Sequence, residues 1–150
     1  MNKSTLRLYL DMDGTIADFD AHFFSLFGVQ PREYEDKHGT ENFWAAIVST
    51  PNFWLDIQPF PYLAEMWEFI TDKFEHVMIL SAPSKEDYAR TIREKRIWLN
   101  KYMKMPDGSH PPAIFRKDKQ VYADPKSILV DDWSKKIKSW SGAGGLVVHH

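Results

Sequence analysis

Four carboxylates stand in two close pairs, Asp11 with Asp13 and Asp131 with Asp132. Each pair directly follows a short apolar run, residues 6–10 and residues 128–130. If the fold brings the pairs together, like charges in a partly dry site repel strongly, so protons or a cation must balance them. The chain has no Cys, and no His stands beside either pair. Such an all-oxygen donor set favours Mg²⁺, which keeps several waters and also takes phosphate oxygens. That points to phosphate chemistry, with the metal neutralising charge on the transferring group. A carboxylate such as Asp11 can attack phosphorus and form an aspartyl-phosphate. Asp13, two residues on, can serve as general acid and then as base. Gly14 permits a tight turn that brings backbone N–H groups near phosphate oxygens. An Asp-Gly pair after a strand is also a common plain turn.

The elements that must position these residues can be read from periodicity. Residues 6–10, 76–80 and 127–130 read as buried strands, 113–115 as a weak strand and 146–148 as a last one. Helices are expected over 17–27, closed by Gly28, and over 85–103 and 134–141. Another is marked by Tyr62, Leu63, Met66, Trp67, Ile70 and Phe74 at helical spacing. Residues 31–39 and 41–50 look like two short aromatic-rich helical pieces, and 52–60 is irregular and bounded by prolines. Strands alternating with helices predict an α/β fold: a three-layer, doubly wound parallel sheet with helices on both faces. Residues 1–150 form a single domain in this reading, with a small helical cap at about 28–60 inserted after the first strand. Open parallel sheets bind ligands beyond the carboxyl ends of their strands. Asp11 with Asp13, Ser81, and Asp131 with Asp132 all occupy such positions.

Two lysines and three aromatics complete the candidates. Lys95 shares a helical face with Tyr88, Ile92, Leu99 and Tyr102. Its stem either snorkels to water or carries the ammonium to buried negative charge. Lys119 ends the run Arg116-Lys117-Asp118-Lys119, which is either a solvated charge run or a second source of a phosphate-binding cation. Phe19, Phe43 and Trp44 either pack the cap or offer faces to a flat base, and pattern alone favours packing. Ser81 has no His base beside it and suits a phosphate ligand better than a nucleophile. No histidine pair has a metal-binding spacing with an acidic partner, which argues against a zinc hydrolase. The His149–His150 pair receives no function.

Composition sets the outer limits. With 150 residues, 43% hydrophobic and 15% aromatic, the chain can bury a real core. A formal charge of -2 gives no bulk basic character, which disfavours nucleic acid and anionic membrane as partners. The apolar N-terminal stretch is far too short for a signal peptide or membrane span. The expectation is a soluble, cytoplasmic protein, with a homodimer left open.

The run Asp11-Met12-Asp13-Gly14-Thr15 resembles the first motif of the haloacid dehalogenase-like (HAD) superfamily. Ile79-Leu80-Ser81 resembles its second motif, whose hydroxyl holds a phosphate oxygen, and Leu129-Val130-Asp131-Asp132 its acidic fourth. These arrive in the family's order and cover the whole chain. A closer resemblance is to the 5'(3')-deoxyribonucleotidase branch. It rests on Leu8 through Phe19, on Asn42-Phe43-Trp44, on Asn52-Phe53 and Gln58 through Pro61, on Glu94-Lys95 with Trp98, and on Asp118-Lys119. Thr15 replaces a frequent valine of that branch, and Ser81-Ala82-Pro83 replaces its usual Thr-Ser-Pro. The resemblance implies a phosphomonoesterase acting on nucleoside monophosphates. Asp11 would be the nucleophile and Asp13 the acid and base. Mg²⁺ would be held by Asp11, the Asp13 carbonyl, Asp131 and, directly or through water, Asp132. Ser81 and Lys95 would hold the phosphoryl group, with Lys95 preferred over Lys119 as the lysine that orients the nucleophile. Phe19, Phe43 and Trp44 would line the base pocket. The alternatives are another small phosphometabolite, a nucleic-acid end, or a phosphate-binding domain without turnover.

Overall fold

Five strands form one parallel sheet in the computed structural model, which describes residues 2–150. They are β1 (Ser4–Leu10), β2 (Phe74–Ser81), β3 (Ala113–Phe115), β4 (Ser127–Asp131) and β5 (Leu146–His149), in the order β3-β2-β1-β4-β5. β1 lies at the centre: Leu8 pairs with Val77 and Ile128, and Leu10 with Ile79 and Val130. A strand flanked on both sides and covered on both faces must be apolar throughout, which is why residues 8–10 are buried without alternation.

Helices cover both faces of the sheet, as the alternating pattern requires. Leu8, Leu10, Val77 and Ile79 pack against Trp67 and Ile70 of α4 (Leu63–Lys73) and Trp98 and Leu99 of α5 (Tyr88–Tyr102). Tyr9, Leu80 and Leu129 face the other way, onto Trp140 of α6 (Ser134–Gly142). Trp98 and Trp140 are almost wholly buried, and each such side chain adds roughly 2–3 kcal/mol of hydrophobic stabilisation. No helix among the described residues is long and apolar enough to cross a membrane.

Between β1 and α4 lie three short helices, α1 (Phe19–Phe27), α2 (Pro31–His38) and α3 (Thr40–Val48). The chain leaves and returns through a two-ply neck. Asp18 N–H donates to the Gln58 carbonyl at 2.9 Å, and Phe60 N–H to the Ile16 carbonyl at 2.9 Å. Asp18 also caps α1 by accepting from Ala21 N–H at 3.2 Å, so the helix begins at Phe19 and Ala17 is left to bridge Pro59. Gly28, at φ 74°, closes α1 in the left-handed conformation. α5 also starts later than the periodicity suggests. Pro83 and a Ser84 to Glu86 hydrogen bond of 3.1 Å hold a turn, and Thr91 N–H makes the first helical bond, to the Asp87 carbonyl at 2.9 Å. A 3₁₀ helix over Lys119–Tyr122, hidden in the sequence by the charged residues before it, stands between β3 and β4.

Candidate active site

The strand order changes direction beside β1, and in open parallel sheets such a switch point is where ligands bind beyond the carboxyl ends of the strands. Asp11 is the first residue past β1, tied by its N–H to the Val130 carbonyl at 3.0 Å. The next residues fold into a tight turn in which Thr15, Ile16 and Ala17 all donate to the Met12 carbonyl, at 3.0, 2.8 and 3.0 Å. Gly14 sits in this turn at φ 79°, and a Cβ there would collide with the Asp132 carboxylate. Glycine is therefore required twice, for the backbone angle and for the close approach. Ser81 ends β2 and Asp131 ends β4, so all three strands deliver their polar residues to the same edge.

Charge is balanced unevenly there. Lys119, only 3% exposed, places its ammonium 2.7 Å from Asp11 Oδ1 and 2.9 Å from Asp131 Oδ2. Thr15 Oγ1 donates to the other Asp11 oxygen at 3.3 Å. Oxygens of Asp11, Asp131 and Asp132 all lie within 4.8 Å of one another. Burial pushes the Asp11 carboxyl up to about 8 despite the pull of Lys119, and the charge of Asp131 adds to the rise. Asp132 lies at the rim, yet burial of its carboxyl raises it to about 6, opposed by hydrogen bonding with Asp11 and reinforced by Asp131. Burial would depress Lys119, but the two carboxylates outweigh it and hold the ammonium charged. Three carboxylates with one ammonium leave surplus negative charge in a dry place. An all-oxygen donor set of that kind fits a hard divalent cation such as Mg²⁺.

Lys95 serves the neighbouring half of the site. Its ammonium, on a side chain 1% exposed, donates to Asp13 Oδ2 at 2.8 Å, Ser81 Oγ at 2.8 Å and the Ala82 carbonyl at 3.1 Å. The remaining oxygen, Asp13 Oδ1, is buried without a hydrogen-bond partner. A carboxyl with one oxygen fixed and the other unsatisfied is oriented for exchange with an incoming group. The ring of Trp54 lies 4.8 Å from the Lys95 ammonium.

Seven of the sequence candidates thus meet at one edge: Asp11, Asp13, Ser81, Lys95, Lys119, Asp131 and Asp132. The division between the lysines differs from the sequence preference. Lys119 holds the Asp11 carboxylate, whereas Lys95 reaches Asp13 and Ser81. The reason is the 3₁₀ helix, which turns Lys119 inward although the charged run before it resembles a solvated loop. The aromatics separate as well. Phe43 is buried in α3, its ring 5.2 Å from Phe23 and 5.1 Å from Trp44. Phe19 is part-buried 5.9 Å from Trp54 and so lies one ring away from Lys95, and Trp44 is part-buried beside Phe43. None of the three is in hydrogen-bonded or ionic contact with the acidic cluster.

Sequence reasoning assigned no role to Trp54 or Arg90, and named Glu94 only as part of the resemblance around Lys95. Glu94 is buried and pairs with Arg90 at 2.5 Å. The visible signal was the Arg90–Glu94 spacing of one helical turn on the helix that also carries Lys95. For Trp54 the proline-bounded stretch gave no periodicity to read.

No family model matches the chain, and no curated protein matches it. Solved structures do. A haloacid dehalogenase-like family hydrolase from Xanthomonas campestris aligns over 97% of this chain and 82% of its own, with a TM-score of 0.57 at 11% identity. A HAD-superfamily hydrolase from Ehrlichia chaffeensis aligns over 98% and 88%, with a TM-score of 0.55 at 13% identity. The HAD-hydrolase YfnB from Bacillus subtilis, solved bound to magnesium, aligns over 97% and 86%, with a TM-score of 0.54 at 12% identity. The likeness is one of fold: a parallel five-stranded sheet with helices on both sides, shared with HAD-superfamily hydrolases.

Proposed function

We propose that this chain is a Mg²⁺-dependent phosphomonoester hydrolase that works through an aspartyl-phosphate on Asp11 and takes nucleoside monophosphates as substrates. The observation that carries the reading is the pairing of Asp11 with Lys119 beside Asp131 and Asp132, with the half-satisfied Asp13 two residues away. A HAD hydrolase fold with these residues at its strand ends supports it.

Asp11, the Asp13 carbonyl, Asp131 and Asp132 are the groups that would hold the metal. When bound, Mg²⁺ would supply charge neutralisation at the phosphoryl oxygens and would keep Asp11 ionised. The Asp11 carboxylate attacks phosphorus, forming an acyl phosphate as the bond to the leaving oxygen breaks. Asp13 gives that oxygen a proton. It then takes a proton from the water that attacks the acyl phosphate, which frees inorganic phosphate and restores Asp11. Ser81 binds an oxygen of the transferring group, Lys95, held on Ser81 and Asp13, supplies positive charge beside it, and Lys119 fixes the nucleophile between itself and Thr15. Preference for a nucleotide must come from groups that meet the leaving alcohol, because every phosphomonoester presents the same phosphate. Trp44, in the cap, and Phe19, at the start of α1, are both part-buried and are the surfaces offered to the base. Nucleic acid and membranes are not among the proposed partners, and the protein is taken to work in the cytoplasm.

Release of inorganic phosphate from a panel of nucleoside monophosphates and sugar phosphates, with Mg²⁺ and with EDTA, tests this. Turnover of nucleotides above sugar phosphates, lost in EDTA and restored by Mg²⁺, is the expected result. Absence of Mg²⁺-dependent release from the whole panel would overturn the hydrolase reading, and a preference for sugar phosphates would overturn the substrate alone.

A further inference from the structure

α5 carries more than Lys95 towards the site. Just before it, Arg90 and Glu94, one turn apart, form an ion pair of 2.5 Å, and both reach across to the segment over residues 48–55. Arg90 donates to the carbonyls of Val48 at 2.8 Å and Thr50 at 2.5 Å, and to Asp87 at 3.0 Å. Glu94 accepts from Leu55 N–H at 3.4 Å. That segment is thus held at three backbone points on either side of Trp54. Burying a charged pair is costly unless its remaining donors and acceptors are used. Here they are spent on fixing one short piece of irregular chain.

What that piece delivers is an aromatic face. Trp54 is 4% exposed, and its ring lies 4.8 Å from the Lys95 ammonium. The three N–H donors of Lys95 are already used by Asp13, Ser81 and Ala82. Trp54 therefore lies beside an ammonium whose donors are all engaged, shielding it from water and attracting the cation through the ring quadrupole. Phe19 and Phe53 back the indole at 5.9 and 5.1 Å, so the ring cannot swing away without repacking its neighbours.

We propose that Trp54, seated by the Arg90–Glu94 clamp, is a positioning residue that holds the Lys95 ammonium on Asp13 and Ser81. This rests on the hydrolase reading for its consequence in turnover, but the clamp itself can be tested without turnover. Trp54 makes no hydrogen bond to either reacting carboxylate and acts through Lys95. Its loss should therefore lower the rate of the step in which Asp13 and Ser81 take part more than it weakens substrate binding.

The first experiment uses the whole protein with Mg²⁺ and phenyl phosphate, an ester too small to need the cap. Trp54→Leu is expected to lower kcat about tenfold with KM changed less than about twofold, and Trp54→Phe to recover kcat to within about threefold. Equal losses in the two variants, or a change confined to KM, would overturn the positioning role. The second experiment reads the Lys95 side-chain ammonium by ¹⁵N NMR, assigned with Lys95→Arg. Arg90→Gln leaves the indole intact and removes the clamp. It is expected to broaden the Lys95 signal and speed its hydrogen exchange, whereas an unchanged signal would overturn the proposal. This arm decides the matter if Trp54→Leu does not fold. If the wild-type protein releases no phosphate, the hydrolase reading falls, and the NMR arm still decides whether the clamp orders Lys95.

Discussion

At the carboxyl edge of the sheet, buried lysines are held by carboxylates: Lys119 by the buried Asp11 and Asp131, and Lys95 by the part-buried Asp13. In the insert between the two plies of the neck, stability comes instead from rings. Phe23 alone lies within 6 Å of Phe27, Tyr34 and Phe43, at 4.6, 5.5 and 5.2 Å. Removing one member of the first region leaves a partner charged and dry, with no substitute nearby. Removing one ring from the second opens a cavity whose cost is spread over many contacts. Single substitutions at the edge should therefore destroy turnover, and should spare folding only where the new side chain still pairs with the charge left behind. In the cap they should cost stability first and activity selectively.

Asp11→Asn breaks that contrast most severely. The amide cannot form the acyl phosphate, and turnover should fall by at least about a thousandfold. Asn can still accept from Lys119, and the variant sheds a carboxyl that burial already makes costly to ionise. Its melting temperature should stay within a few degrees of wild type, roughly 1 kcal/mol or less for a chain of this size. Phosphate release and a melting curve on the same preparation check both halves. Retained turnover would exclude covalent catalysis by Asp11.

The lysines sharpen the comparison within the edge itself. Lys119→Met leaves Asp11 and Asp131 without their shared cation and should reduce kcat about a hundredfold or more, whereas Lys95→Met should cost nearer tenfold to thirtyfold. Parallel kcat measurements at saturating Mg²⁺ decide the ranking. A larger loss at Lys95 would return the main role to the residue that the sequence favoured.

A pH series tests the electrostatics directly. The Asp11 carboxyl is raised from 3.8 to about 8 by burial. Across that interval the folded protein holds a proton that the unfolded chain has released. Its contribution to the stability of the metal-free protein is thus present at low pH and lost as pH climbs towards 8. Metal binding needs the ionised form, so the sign for Mg²⁺ is opposite. Apparent Mg²⁺ affinity should rise about tenfold or more from pH 6 to pH 8, with protons released on binding. Titration calorimetry in two buffers of different ionisation enthalpy measures both. A pH-independent affinity would mean that Asp11 is already ionised without metal.

Much of this was legible from residue types alone. The pairs Asp11/Asp13 and Asp131/Asp132 follow apolar runs, and the alternation of elements dictates a parallel sheet whose carboxyl edge must gather them. The strand over 113–115 and the late helix over residues 134–141 were legible for the same reason. Lys119 was legible only as one of two open readings, because a charged run reads as solvated unless a short 3₁₀ turn is known to carry its last residue inward. Trp54 was not legible, because its position depends on Arg90 and Glu94 gripping an aperiodic segment from another part of the chain. Local periodicity reports which face of an element is buried, and says nothing of which irregular segment lands on it.

The smallest expected effect separates two adjacent rings of the cap. Phe43 is 6% exposed and packed against Phe23 and Trp44, whereas Trp44 is only part-buried. Phe43→Ala should cost roughly 3–4 kcal/mol of stability through cavity formation, and should lower activity on all substrates only as far as the cap loosens. Trp44→Ala removes a ring that is still partly open to a ligand. If a base stacks there, catalytic efficiency on nucleoside monophosphates should fall by roughly fivefold to tenfold, near the lower end of what one stacked ring contributes. Phenyl phosphate reacts at the same phosphate site without reaching that ring, and its efficiency should change less than about twofold. The ratio of the two efficiencies is the quantity to follow, because a general loosening of the cap cancels from it. A melting curve for Trp44→Ala guards the comparison. If the ratio is unchanged while the cap stays folded, Trp44 is a packing residue like Phe43. The preference for nucleotides would then have to be sought in another surface facing the site.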